Sequence, residues 1–233
     1  MYLYIIRHGE PGDGGALTEL GHKQAAAVGE RMYKTGLDRI FTSPLLRAVQ
    51  TAAPACRLLG KTAVVEDWAA EIGDGRLTTL PDGSKKSVSL LQNTLFLQGD
   101  NANLPFESAY ECDYFNTSGM KDAVSFIEQN GNAFLERLGY RKEGNVYRIV
   151  KPSDEKVALF CHAAFSRAWI SVLLHIPVHI MWAGFDYEHT GVTVLEFENN
   201  PDGFTAPTCL RYSDTSHLYA AGLEPLFYEK KEM

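Results

Sequence analysis

The chain has 233 residues, 45% hydrophobic and 22% charged, with a formal charge of −7. That length buries a sizeable core as one domain, or as a core domain carrying an insertion, and a single domain over 1–233 is the expectation. The negative balance argues against nucleic acid or an anionic membrane as partner, because both need a basic face, so an anionic substrate would have to be held by a local cationic cluster.

The opening MYLYIIRHGE lacks a basic n-region, and no apolar run approaches the roughly 18 residues of a membrane helix, so a strand in a soluble, cytoplasmic protein is expected. Tyr2 to Arg7 is apolar and β-prone, and the glycines after it allow a tight turn. Thr18 suits the cap of a helix from Glu19 to Lys34, with Ala25, Val28 and Met32 inward and Gly36 as its stop. A short strand, DRIFTS, follows at Asp38 to Ser43. Ser43-Pro44 then predicts a helix capped by the serine, with Arg47 in its first turn.

TAVVE, residues 62 to 66, reads as a third strand. From about 73 to 119 the pattern turns irregular and rich in turn formers, which predicts an inserted lid with some helix of its own. Thr117 or Ser118 is the expected cap of a helix to Leu138, and NVYRIV at Asn145 to Val150 a short strand. KVALFC, Lys156 to Cys161, is a strongly apolar strand, followed by a helix from Ala164 to Leu174. Thr190 to Glu198 and Phe204 to Tyr212, separated by NNPDG, read as a terminal hairpin. The whole predicts an α/β three-layer sandwich, with a mainly parallel central sheet, an antiparallel edge strand and the inserted lid. Cys56, Cys112, Cys161 and Cys209 are widely spaced with no CxxC pair, which favours buried reduced thiols over disulfides or a zinc site.

In a parallel sheet, ligands sit beyond the carboxyl ends of the strands. One strand ends in Arg7-His8, a second runs into the helix bearing Arg47, and a third ends at His162. Arginine forks and permanent charge match phosphate oxygens, while histidine serves near neutral pH as nucleophile, donor or acid. Singly, each residue has an ordinary structural reading. Together at corresponding strand ends, they point to phosphate.

These residues belong to motifs through which the chain resembles the histidine phosphatase superfamily, also called phosphoglycerate mutase-like. They are RHGE (Arg7 to Glu10), LTELGHKQA (Leu17 to Ala25), SPLLRAVQTA (Ser43 to Ala52), Glu71 ahead of the lid, and FCHAAFSR (Phe160 to Arg167). The tail YSDTSHL (Tyr212 to Leu218) also looks like the family's closing segment.

The resemblance implies that His8 is the nucleophile, that Arg7, Arg47 and His162 surround the phosphate oxygens, and that no metal or other cofactor is needed. Ser43 and Ala163 join the phosphate-binding candidates, and Glu10 and His189 are candidates for the pocket wall. The leaving alkoxide needs a proton. In one branch an aspartate directly after the second histidine supplies it, but here that residue is Ala163, so Glu71 is the candidate acid and Asp74 its alternative. Lys85, Lys86 and Arg76 are candidate secondary anion contacts in the lid, and His22, His175, His179 and His217 read as ordinary helix, loop or core residues.

Phosphoglycerate mutases continue from RHG with a serine and a tryptophan-asparagine pair, whereas this chain has EPGDGGAL. The expected activity is therefore a phosphatase acting on a small phosphorylated substrate, with a mutase and a phosphate-binding regulatory module as alternatives. The sequence leaves the oligomeric state open.

Overall fold

Every second residue of the first strand is turned to a different core, and that alternation organises the molecule. The computed structural model describes residues 1–73, 76–80 and 82–223. In chain order its elements are β1 (Tyr2–Arg7), α1 (Glu19–Thr35), β2 (Arg39–Thr42), α2 (Leu46–Leu59), β3 (Val64–Val65), β4 (Leu77–Thr79) and β5 (Lys85–Ser87). There follow α3 (Met120–Arg137), β6 (Tyr140–Glu143), β7 (Val146–Ile149), β8 (Lys156–Cys161), α4 (Ala163–Leu174), α5 (Val178–Gly184), β9 (Val192–Glu196), β10 (Phe204–Thr205), β11 (Thr208–Asp214) and α6 (Ser216–Ala220).

The main sheet has the order β11-β9-β1-β8-β2-β3. β1, β8, β2 and β3 are parallel, and β9 runs antiparallel to both β1 and β11. Leu3 and Ile5 of β1, with Val157, Leu159 and Cys161 of β8, face one core together with α3, α4 and α5. Ile6, Ala158 and Phe160 face the other, against Val28 and Met32 of α1 and Ala52 and Ala55 of α2. A sheet covered on both faces explains why KVALFC is a continuous apolar run rather than an alternating one.

Several local expectations are corrected. α3 starts at Met120 after Gly119, which is left-handed at φ 70° and offers no side-chain cap. The two expected caps are engaged elsewhere: Ser118 donates to the Phe115 carbonyl, and Thr117 pairs with Thr78. α2 starts at Leu46 with Leu45 as its cap, although the Ser43 hydroxyl still accepts the Leu45 N–H at 3.2 Å. The third strand keeps only Val64–Val65. Phe204 to Tyr212 splits at Pro207, which has no N–H to give a ladder; β10 pairs with β7, while β11 pairs with β9. β7 also pairs with β6, in a separate three-stranded sheet, and α5 is an element the sequence reading did not include.

The segment from 76 to 118 contains the β4–β5 hairpin and a run of 3-10 turns, with no α-helix among its described residues. It is not a loose flap. Val88, Phe96, Ala109, Cys112 and Phe115 are buried in the same core as α4 and α5. Phe115 meets the Trp182 ring edge-on at 5.6 Å, and Trp182 Nε1 donates to the Val88 carbonyl at 3.4 Å. Arg76 closes the neck by donating to the carbonyls of Ile72 at 2.7 Å and Gly119 at 2.9 Å. All four cysteines are free thiols. No helix among the described residues is long and apolar enough to cross a membrane.

Candidate active site

Strand register brings the polar residues together. Arg7 pairs with Cys161 and Thr42 with Phe160, so the residues just beyond the strands, His8, His162 and Ser43, share one rim. The His8 and His162 ring centroids lie 5.0 Å apart, and His189, from the turn before β9, is 5.8 Å from His8. Arg47 reaches in from the first turn of α2 and donates from Nε to His8 Nε2 at 3.1 Å. Arg7 donates from Nη2 to His189 Nε2 at 2.9 Å and from Nη1 to the Tyr187 carbonyl.

The hydrogen bonds assign the tautomers. His8 Nδ1 is 2.6 Å from the Gly9 carbonyl, which can only accept, so the proton is on Nδ1 and the Nε2 lone pair faces Arg47. Ser43 accepts the Leu45 N–H, and His162 Nε2, at 2.7 Å, is the acceptor within reach of its own O–H among the described residues, so the hydroxyl donates to that nitrogen. That leaves a buried Nδ1–H on His162 with no acceptor among the described residues. Burial first, then the charges of Arg7 and Arg47, lower the His8 pKa to about 3, against the opposing pull of the Gly9 carbonyl. Burial first, then His8, Arg47 and Arg7, lower that of His162 to about 2. His189 likewise falls to about 2, by burial first and then Arg7 and His8. All three rings are neutral at neutral pH, and the arginines carry the site's positive charge.

Glu71 sits at the amino end of α4. Its carboxylate accepts the N–H groups of Ile72 at 2.8 Å, Gly73 at 3.4 Å, Ala164 at 3.3 Å and Phe165 at 3.0 Å. It thus supplies the cap that His162, at the N-cap position, does not give through its side chain. Ala163, the half-buried first residue of α4, is left with an N–H directed out of the helix end. Asp74 lies outside the described residues. Glu10 turns away to accept the Thr18 hydroxyl at the start of α1. Arg76 is spent on the neck of the 76–118 segment, and Lys85 and Lys86 lie in the β4–β5 hairpin.

The sequence reading missed the residues that hold these groups in place. Thr51, one turn after Arg47, accepts the Gly9 N–H at 3.0 Å and donates to the Arg47 carbonyl at 2.7 Å. Gln24 accepts the Glu10 N–H, and Gln50 that of Leu17, each at 2.8 Å. A Cβ on Gly9 would lie 2.6 Å from the Gly21 carbonyl, and one on Gly21 would lie 2.2 Å from that of Glu10. Both glycines are needed for the loop to lie on α1. Behind the site, Arg31 faces His217 Nδ1 at 3.3 Å, His217 Nε2 meets the Thr190 hydroxyl at 3.0 Å, and the Thr190 N–H bonds the His8 carbonyl at 3.2 Å. The helical spacing of Arg47 and Thr51 was a usable signal; the long-range partners left none.

A neutral ring nitrogen whose unprotonated lone pair faces an arginine, together with forked cations and backbone N–H donors, can accept and stabilise a phosphoryl group once that arginine N–H turns to the phosphoryl oxygens. Comparison with known proteins agrees with that chemistry. The family model for the histidine phosphatase superfamily (branch 1) matches residues 3–112. A probable phosphoglycerate mutase of Yersinia pestis (strain Pestoides F) is 23% identical over 238 residues, covering 97% of this chain and 99% of the relative. A phosphoserine phosphatase mutant from Entamoeba histolytica, solved with phosphoserine, has the same fold, with a TM-score of 0.61 and 21% identity over 93% of this chain and 98% of that one. A mycobacterial glucosyl-3-phosphoglycerate phosphatase solved with VO3 has a TM-score of 0.59 and 19% identity, over 91% of this chain and 98% of that one. The chain is thus similar to the histidine phosphatase superfamily over residues 3–112, and over nearly its whole length it shares the fold of solved phosphatases.

Proposed function

We propose that the protein is a phosphatase that hydrolyses small phosphomonoesters through a phosphohistidine on His8. The observation that carries this reading is the locked tautomer of His8, whose Nδ1–H is held by the Gly9 carbonyl while Nε2 stands beside Arg47. Nε2 attacks phosphorus, the P–O bond to the leaving group breaks, and the ring becomes a phosphorylated cation whose Nδ1–H stays on the Gly9 carbonyl. Arg7, Arg47, the Nδ1–H of His162 and the Ala163 N–H take the phosphoryl oxygens, spreading charge that builds in the transition state over fixed donors. Ser43 orients His162.

Glu71 is the group assigned to pass a proton to the departing alkoxide and then to take one from the water that attacks phosphohistidine. Phosphate leaves and His8 is again neutral. Support for a hydrolase comes from the phosphatases that share the fold and from EPGDGG after RHG; the relative named as a probable mutase supports the alternative of transfer back to substrate. A panel of phosphomonoesters tests the choice. The phosphatase reading expects inorganic phosphate from several of them and a loss of at least ~10³-fold in His8→Ala. Isomerised product without net phosphate release would favour the mutase, and phosphate binding with no turnover by wild type would favour a binding module.

A further inference from the structure

Residues 212–218, the YSDTSHL tail, pass behind the rim and hold the turn at 187–191 that carries His189. Two contacts join them: Ser213 Oγ accepts the Glu188 N–H at 2.8 Å, and His217 Nε2 lies 3.0 Å from the Thr190 hydroxyl. The turn continues the β1–β9 ladder past the paired strands, because the Gly191 carbonyl accepts the Arg7 N–H and the His8 carbonyl accepts the Thr190 N–H, each at 3.2 Å. It also receives the Arg7 fork, at the Tyr187 carbonyl and at His189 Nε2. The backbone of the nucleophile and the guanidinium assigned to phosphate therefore both depend on this turn.

Thr190 is left-handed at φ 55°, a region that β-branched residues avoid, so its neighbours have to impose the conformation. Asp214 fixes Arg31 through its carboxylate at 2.8 Å and its carbonyl at 3.1 Å, and Arg31 Nη1 faces His217 Nδ1 at 3.3 Å. A guanidinium only donates, so Nδ1 accepts. Burial first, then Arg31, lower the His217 pKa to about 4, against the pull of Asp214, so at neutral pH the ring carries one proton. That proton is on Nε2 and is donated to Thr190 Oγ1. The Thr190 hydroxyl in turn donates to the His189 carbonyl at 2.7 Å. Every donor from Arg31 to the His189 carbonyl thus points the same way. His217, Thr190 and His189 are all buried, where water does not readily replace a lost partner.

We propose that His217 is a positioning residue for phosphoryl transfer: through Thr190 it locks the turn that sets the His8 backbone and aims the Arg7 fork, a role that rests on the phosphatase reading of the site. The lock acts on the phosphoryl side, so its loss should be felt whatever the leaving group. His217→Leu, assayed well below its Tm, should lower kcat at least about tenfold on p-nitrophenyl phosphate and glycerol 2-phosphate alike, because small displacements of reacting groups are costly. His217→Gln, which keeps an N–H for Thr190, should recover part of that loss. Thr190→Val, which exchanges the hydroxyl for a methyl group, should match His217→Leu, and the double variant should be no worse than either single one. A lowered Tm with kcat unchanged in both single variants would make the two residues structural, and additive losses in the double variant would break the link between them; either result overturns the inference. Binding of inorganic phosphate separates the lock from the phosphatase reading. It should weaken about fivefold in His217→Leu and recover in His217→Gln even if wild type turns over no ester. Phosphate binding unchanged in His217→Leu would overturn the lock.

Discussion

His8 keeps Nε2 unprotonated because burial and two arginines penalise the cation, and the same physics makes the site costly at low pH. His8, His162 and His189 have pKa values lowered to about 3, 2 and 2, and His217, buried behind them next to Arg31, to about 4. The unfolded chain takes up protons on these residues as pH falls through the ordinary histidine value near ~6.5, while the folded chain does not until its much lower values are reached. Over that window the unfolded state binds more protons, so stability is complete above it and falls as pH drops through it. The urea midpoint should therefore fall clearly between pH 7 and pH 5, and fall less in His162→Asn than in wild type. Equal midpoints at the two pH values would mean the rings are not buried neutral. RHGE and FCHAAFSR made these residue types legible in sequence, but not their tautomers, which depend on the Gly9 carbonyl and on Ser43.

At the scale of the element, α4 has two claims on Glu71. The carboxylate caps the helix through Ala164 and Phe165, and the proposed mechanism uses it as the proton donor. Substitution separates the two. Glu71→Ala removes the cap and should cost about 1 kcal/mol of stability, whereas Glu71→Gln keeps an acceptor oxygen and most of that stability. Glu71→Gln should slow alkyl phosphates strongly and spare p-nitrophenyl phosphate, whose leaving group needs no proton. Equal slowing of both would remove Glu71 from the acid's role and leave it a cap. Helix α1 was readable to within one residue because Thr18 and Gly36 act locally as cap and stop. The start of α3 was not, because Thr117 and Ser118 are drawn to partners outside the helix.

Across the whole molecule, the sheet order follows from apolar strands buried on both faces, and that pattern is visible in YLYIIR and KVALFC. The 76–118 segment was harder to read because its core contacts are long-range and its turns carry no helical period. Its burial against Trp182 predicts that Phe115→Ala costs about 3–5 kcal/mol, as for any large core aromatic, seen as a lower urea midpoint. A change in KM with an unaltered midpoint would instead describe a detachable lid. The site and the fold meet in one claim, that β1 delivers a nucleophile and that His8 carries the phosphoryl group during turnover. Rapid quench of the wild type with substrate, followed by peptide mapping under alkaline conditions, tests it most directly. The account predicts an acid-labile phosphate on Nε2 of His8, formed and lost at rates that match turnover and absent from His8→Ala. Steady hydrolysis with no phosphate on His8, or with the label on another residue, would contradict it.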